Sequence, residues 1–346
     1  MLVLSVFIES FGDKISATLF LIVSLVLLLF ITSNREGIGT DFYNYKEIYR
    51  DITIDNSFSV EFGFVILNYI AYYIGGFKVL LFITAFLNLF AIVFVLRRLK
   101  LHISLGVLTY YSLFYLNHNF NTVRHGLMTA FVWVALYFYF KRDKIKSIFF
   151  YVVSILFHQL AFIFYPLQFL TLKRINYKYS IILLFILFIV GKSLENAFVV
   201  LNVFISQYSS KLNYYLNDYY GDEIVRYNFG LGFFLYIAIY FIILKFEDYF
   251  TNRTQIVFFN RLLFLGISMI ILFASISIFS ERIANTLLLS LVFIFASVGK
   301  IKIEILPRFI LLFVFVAIDF FYLMKIMSIP GMDRTYQFVP YTYTFF

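Results

Sequence analysis

The chain has no cysteine in 346 residues. That excludes disulfides, thiol nucleophiles and zinc–thiolate centres. Charge is also scarce. Asp, Glu, Lys and Arg make up 14% of the residues, against about a quarter in soluble domains. There is one tryptophan. HExxH, Walker, GxSxG and DxD motifs are all missing. This argues against zinc proteases, P-loop transport ATPases, serine hydrolases and nucleotide-sugar enzymes built on a DxD metal site. There is no fixed-period repeat or low-complexity linker, and no polar stretch long enough for a soluble domain.

What remains is mostly oil. Hydrophobic residues make up 62% of the chain, with a mean hydropathy of +0.91. Several apolar runs match the length needed to cross a hydrocarbon core of about 30 Å. They are helix-length runs, not alternating ten-residue strands, which excludes an outer-membrane barrel. The fold class is therefore all-α: a polytopic integral membrane protein with about 9–12 transmembrane or re-entrant helices, organised as a single transmembrane domain over residues 1–346. The net charge of +9 reads as cytoplasmic loop bias and not as nucleic-acid binding. The aromatic fraction of 23%, from 49 Phe and 28 Tyr, fits AT-rich codon usage at most positions and sugar stacking at a few.

Full spans are predicted at 15–32, 77–96, 101–116, 122–140, 179–205, 230–246, 256–279, 283–298 and 305–324. Residues 1–10 are too short to span, and no cleavable signal peptide is evident. The basic runs 97–100, 141–146, 172–178 and 299–302 should be cytoplasmic. The polar loop 33–61, the tyrosine-dense island 206–229, the Glu281–Arg282 turn and the tail 325–346 then fall outside. Parity makes 62–75 a re-entrant or interfacial helix. It makes 147–170 a hairpin of two short helices with His158 at its tip. Irregular backbone at such depth must be buried in protein or line a wet cavity.

Four places carry chemistry. In the first loop, Gly37 and Gly39 permit a tight turn across which Arg35 and Asp41 can meet. Arg35 would grip a phosphate and Asp41 would orient or deprotonate a hydroxyl; a surface ion pair is the plain alternative. Arg124 and His125 open the helix after a short polar turn, Asn117–Asn121. A helix N-terminus favours an anion such as a pyrophosphate, whereas simple snorkelling is the alternative for Arg124. His158 interrupts an apolar run, as a functional intramembrane group does or as a histidine satisfied by a carbonyl does. Arg282, beside Glu281, is a second pyrophosphate clamp or half of an ion pair that fixes a turn. Lys192 and Glu195 pair with each other by spacing, and Asp319 is a weaker case.

The ordered set resembles the EpsG family, related to Wzy-type O-antigen and capsule polymerases. It is carried by Arg35-x-x-x-Gly39-Thr40-Asp41-x-x-x-Tyr45 and Glu61-Phe62-Gly63-Phe64. Then follow Asn121-Thr122-Val123-Arg124, Leu156-Phe157-His158-Gln159, Ser280-Glu281-Arg282 and Val339-Pro340-Tyr341-Thr342. The family usually has glutamine where this chain has His125. The resemblance implies a GT-C-like membrane glycosyltransferase of the bacterial cytoplasmic membrane that uses neither metal nor cofactor. Such an enzyme transfers a growing glycan from undecaprenyl pyrophosphate to the next lipid-linked repeat unit at the outer face. An O-antigen ligase or a flippase of the same pathway is the alternative. His158, Asp41 and Glu61 would be the catalytic set, with Arg35, Arg124, His125, Arg282 and Tyr45 binding pyrophosphate and sugar. The implied partners are the lipid-linked oligosaccharide, the bilayer, and the pathway's flippase and chain-length regulator.

Overall fold

A computed structural model of the chain describes residues 1–57, 59–169, 176–205, 229–274, 277–301, 303–328 and 338. It is helical, with no strand element among the described residues. Among the described residues seven helices are long and apolar enough to cross a membrane: Lys14–Ser33, Phe77–Arg98, Val123–Phe140, Tyr177–Leu194, Arg253–Leu272, Ser280–Val298 and Ile305–Met327. The protein is a multi-pass membrane protein. The predicted loop 206–228 and the closing Val339–Thr342 motif lie outside the described residues, as does the side chain of Glu195.

The chain divides into two compact units, residues 1–171 with 295–346 and residues 172–294. In the first unit, helices α1 (Leu2–Phe11) and α2 (Lys14–Ser33) lead into α3 (Phe42–Thr53), α4 (Phe62–Ile74) and α5 (Phe77–Arg98). Helix α3 was not anticipated in the polar loop. It forms because Phe42, Tyr45, Ile48 and Ile52 recur at helical spacing and are all buried, while Lys46, Glu47 and Arg50 face outward. Its outer charges pair locally: Lys46 with Glu36 at 3.0 Å and Arg50 with Asp51 at 3.6 Å. Helix α4 has 13 residues, about 20 Å of rise, which is short of the bilayer core.

Helix α6 (Ile103–Tyr110) continues without a break through two π-helical turns, Tyr111–Tyr115 and Asn117–Asn121. The expected polar turn is therefore the wide, buried end of a helix. Its amides are satisfied inside: Asn119 Oδ1 accepts from Asn88 Nδ2 at 2.8 Å, and Asn119 Nδ2 donates to the Tyr115 carbonyl at 3.0 Å. The reversal comes at Thr122, after which α7 (Val123–Phe140) begins. The two helices cross so closely that a Cβ on Gly126 would sit 2.7 Å from the His118 carbonyl oxygen.

Helix α8 (Lys144–Ile155) ends in a turn at Leu156–Phe157. A 3₁₀ segment, Gln159–Phe169, then folds back along it, with the Tyr151 hydroxyl donating to the Ala161 carbonyl at 2.7 Å. His158 sits at the bend, as the hairpin reading placed it. At the opposite end of the unit, Glu9 occupies the N-terminus of α6. Its carboxylate accepts from the backbone N–H groups of Ile103 at 3.1 Å and Ser104 at 2.8 Å. A carboxylate there complements the positive end of the helix dipole. Asp319, on Ile305–Met327, is fully buried and accepts from the Thr109 hydroxyl at 2.9 Å.

In the second unit the tyrosine hydroxyl of Tyr240, on Leu231–Phe246, meets the Ser180 hydroxyl at 2.6 Å. The sequence places the Glu281–Arg282 pair in a turn between two spans. The pair is helical instead, lying within Ser277–Leu288 with Glu281 exposed and Arg282 half-buried. The preceding helix ends earlier than predicted, at Leu272, and the next begins at Ser277, before the charged pair.

A candidate polar site at the end of a spanning helix

The site begins at Arg124, one residue into α7. Its Nη1 lies 2.6 Å from Glu61 Oε2, and both side chains are largely buried, at 25% and 13% exposure. Glu61 precedes α4 at the N-cap position. Its other oxygen, Oε1, accepts from the Gln159 backbone N–H at 3.3 Å. Burial alone would raise the Glu61 carboxyl, but the Arg124 guanidinium and the nearby His158 outweigh it. They hold the carboxyl below its ordinary value.

Two backbone contacts fix this geometry. The Gly63 N–H donates to the Leu156 carbonyl at 2.8 Å, and a Cβ on Gly63 would come within 2.7 Å of that oxygen. Only glycine lets the start of α4 lie against the His158 bend. Gly39 does the same for the first loop. It has φ +93°, and a Cβ there would meet the Phe120 carbonyl oxygen at 2.4 Å. Next to it the Thr40 N–H donates to Asn121 Oδ1 at 3.0 Å.

Tyr45 reaches the site from α3, its hydroxyl accepting from the Arg124 backbone N–H at 3.4 Å. Burial raises the phenol, and the Asp41 charge raises it further against the opposing Arg124. Tyr45 is therefore a neutral hydroxyl. Asp41 itself is half-buried at the N-cap of α3, one turn from Tyr45.

His158 Nδ1 accepts from the Leu160 N–H at 3.1 Å. The neutral ring then carries its proton on Nε2 and presents a donor there. Its ring lies 6.2 Å from that of His125, perpendicular to it, and His125 lies 5.8 Å from His118. Three of the four histidines in the chain thus form one row, and the inner two are buried.

Of the predicted residues, Tyr45, Glu61, Arg124, His125 and His158 come together. Asp41 borders them through Tyr45. Arg35 is built into the wall: it is 1% exposed and donates through Nη1 to the carbonyls of Ile38 at 2.9 Å and Phe120 at 2.7 Å. Its guanidinium also lies over the Phe120 ring at 4.5 Å. Arg282 belongs to the second unit. His118 was not anticipated. The available signal is a histidine among asparagines inside an otherwise apolar run, a pattern that also fits a turn. Among the described residues no group of three His, Asp or Glu is placed to hold a metal ion.

A buried cation–carboxylate pair, a neutral tyrosine and a histidine row, all at one end of a spanning helix, define a multi-pass membrane protein with a polar site at the end of its helices. The sequence narrows this class. The chain belongs to the EpsG family, whose model matches residues 17–343, nearly the whole chain. EpsG is a Wzy-like polymerase-associated family. No curated protein and no solved structure matches the chain.

Proposed function

We propose that the protein is a polysaccharide polymerase at the outer face of the bacterial cytoplasmic membrane. It transfers a growing glycan from undecaprenyl pyrophosphate to the next lipid-linked repeat unit. The acceptor hydroxyl oxygen attacks the anomeric carbon, the bond from that carbon to the pyrophosphate oxygen breaks, and the hydroxyl proton passes to a carboxylate. Family membership supports the reaction class. The observation that carries the assignment of roles is the Arg124–Glu61–His158 cluster.

The leaving group is an anion, so cationic and donor groups must face it. Arg124 supplies charge, and His158, with Nδ1 accepting from the Leu160 N–H, offers an Nε2–H donor when its ring is neutral. Glu61 is tied to Arg124 and has a lowered pKa, which makes it a poor base. Its role is to orient the guanidinium. Asp41, at the rim beside Tyr45, takes the acceptor proton. Arg282, by its sequence a second candidate for binding pyrophosphate, is tested separately. With the Arg124 guanidinium supplying positive charge and His158 a hydrogen bond, the proposed reaction needs no metal. The flippase and chain-length regulator of the pathway are the expected protein partners, and the substrate is the lipid-linked oligosaccharide.

The test is Arg124→Ala and, separately, Arg282→Ala, expressed in place of the wild-type protein in a cell whose surface glycan depends on it. The proposal expects unchanged protein levels and single-repeat glycan in place of ladders. Long chains persisting in both variants overturn it. Lipid-linked repeats stranded on the cytoplasmic side point to the flippase reading. Full-length polymer left on its carrier points to the ligase.

A further inference from the structure

Arg124 lies at one end of α7, and the other end of that helix lines a second feature. Seventeen residues on, about 25 Å away along the helix axis, the ends of α5, α7 and the start of α8 line an open cavity of about 680 Å³. Arg98, Lys141 and Lys146 line it over a floor that includes Phe94, Phe138 and Phe150. The floor is ordered, with Phe138 and Phe150 stacked at 5.4 Å. Two cations lie over its rings: Arg98 at 5.4 Å from Phe94 and Lys146 at 5.5 Å from Phe138. The lining holds one carboxylate, Asp143, bonded to Lys146 at 2.8 Å. The cavity is therefore net positive. It also sits at the ends of two of the spans, Phe77–Arg98 and Val123–Phe140, among the basic runs 97–100 and 141–146.

A second observation extends it into the membrane. Phe82, Phe86, Phe90 and Phe94 form a ladder of stacked rings along α5, with successive centroids 6.2, 5.9 and 6.3 Å apart. The first three rings are exposed on the outside of the helix. The ladder rises about 18 Å, close to one leaflet's share of the hydrocarbon core. One turn beyond Phe94 stands Arg98. An apolar track that ends in a cationic, aromatic-floored cavity complements the shape and charge of an anionic phospholipid lying along the helix.

We infer that this cavity and ladder form a binding site for an anionic phospholipid, the phosphodiester held by Arg98, Lys141 and Lys146 and an acyl chain laid on Phe82, Phe86 and Phe90. Ordinary snorkelling of basic residues toward phosphates requires no cavity and no ladder. Here both are present and continuous, and juxtamembrane cations near anionic lipid each contribute to retention.

The test is native mass spectrometry of the full-length protein released from nanodiscs of phosphatidylglycerol, phosphatidylcholine or an equal mixture. The inference expects retained phosphatidylglycerol from the mixture, no displacement by millimolar inorganic phosphate, and retention reduced about tenfold or more in Arg98→Gln/Lys141→Gln. A Phe86→Ala/Phe90→Ala variant, which keeps every charge, should also lose retained lipid. Arg97→Gln/Lys100→Gln removes the same charge next to the cavity without touching its lining, and should keep it. Equal retention of both lipids, equal loss in the control variant, full displacement by phosphate, or preferential retention of added polyprenyl phosphate each overturns the inference. Thermal unfolding in phosphatidylcholine nanodiscs verifies that the variants remain folded.

Discussion

Glu61 Oε2 and Arg124 Nη1 meet at 2.6 Å across 63 residues of sequence. Each comes from the start of a different helix, and the pair joins α4 to α7 at the mouth of the polar site. A largely buried pair of this kind stabilises less than its Coulomb energy suggests, because both ions are desolvated. Breaking it from one side is costly, since the remaining charge loses its partner. Glu61→Gln is therefore expected to destabilise the protein by about 2–3 kcal/mol, and Arg124→Gln similarly. The double variant should cost less than the sum. A double-mutant cycle of thermal unfolding in detergent measures the coupling.

The pair also sets a pH response. The folded Glu61 carboxyl lies below its reference value of 4.5. Its contribution is thus fully present above pH about 4.5 and is lost as pH falls through the lower folded value. The stability difference between wild type and Glu61→Gln should be flat from pH 7 to pH 5 and shrink below pH 4.5. Unfolding midpoints measured across that range check the sign.

Gly39 and Gly63 are predicted to be intolerant of a methyl group. Gly39→Ala combines a left-handed φ with a Cβ placed 2.4 Å from the Phe120 carbonyl oxygen, and should cost at least about 2 kcal/mol. Gly63→Ala should push the start of α4 off the His158 bend. Gly230→Ala, where nothing lies within 4 Å of the added Cβ, should be close to neutral. Unfolding midpoints and membrane abundance of the three variants separate these outcomes.

Arg35→Lys keeps the charge and loses the planar group that bonds two carbonyls and covers Phe120. The expected result is a lower unfolding midpoint with reduced protein level. Unchanged stability with lost polymer would instead make Arg35 a ligand for substrate.

His125→Gln keeps a hydrogen-bonding side chain at that position and should leave long glycan chains, whereas His158→Ala should abolish them. Glycan length on gels, at matched protein levels, makes the comparison.

Membrane character and most helix positions were legible because burial in lipid demands long apolar runs. What was misread follows from local polarity. Residues 117–121 looked like a turn because three asparagines and a histidine suggest one, yet their amides pair with Asn88, Tyr115 and Thr40 inside the protein. Helix α3 is polar on average, so its apolar stripe of Phe42, Tyr45, Ile48 and Ile52 was hidden within a charged loop. Glu281 and Arg282 looked like a turn because they divide two apolar runs, and they are helical all the same. In the site, the residue types were visible and their partners were not. Nothing in the spacing of Glu61, Arg124 and His158 shows that the glycine at 63 brings them together. Arg35 was expected to face a phosphate; its burial against Phe120 depends on the tight turn at Gly39.

The central claim is that this protein itself joins lipid-linked repeats. The most direct measurement reconstitutes the purified protein in liposomes with the lipid-linked repeat unit extracted from cells lacking it, in the presence of EDTA, and follows both glycan length and released lipid pyrophosphate. The account predicts a ladder of products with one pyrophosphate-bearing lipid freed per linkage, and none of either with Arg124→Ala. Single repeats that remain unjoined with the folded wild-type protein would contradict it.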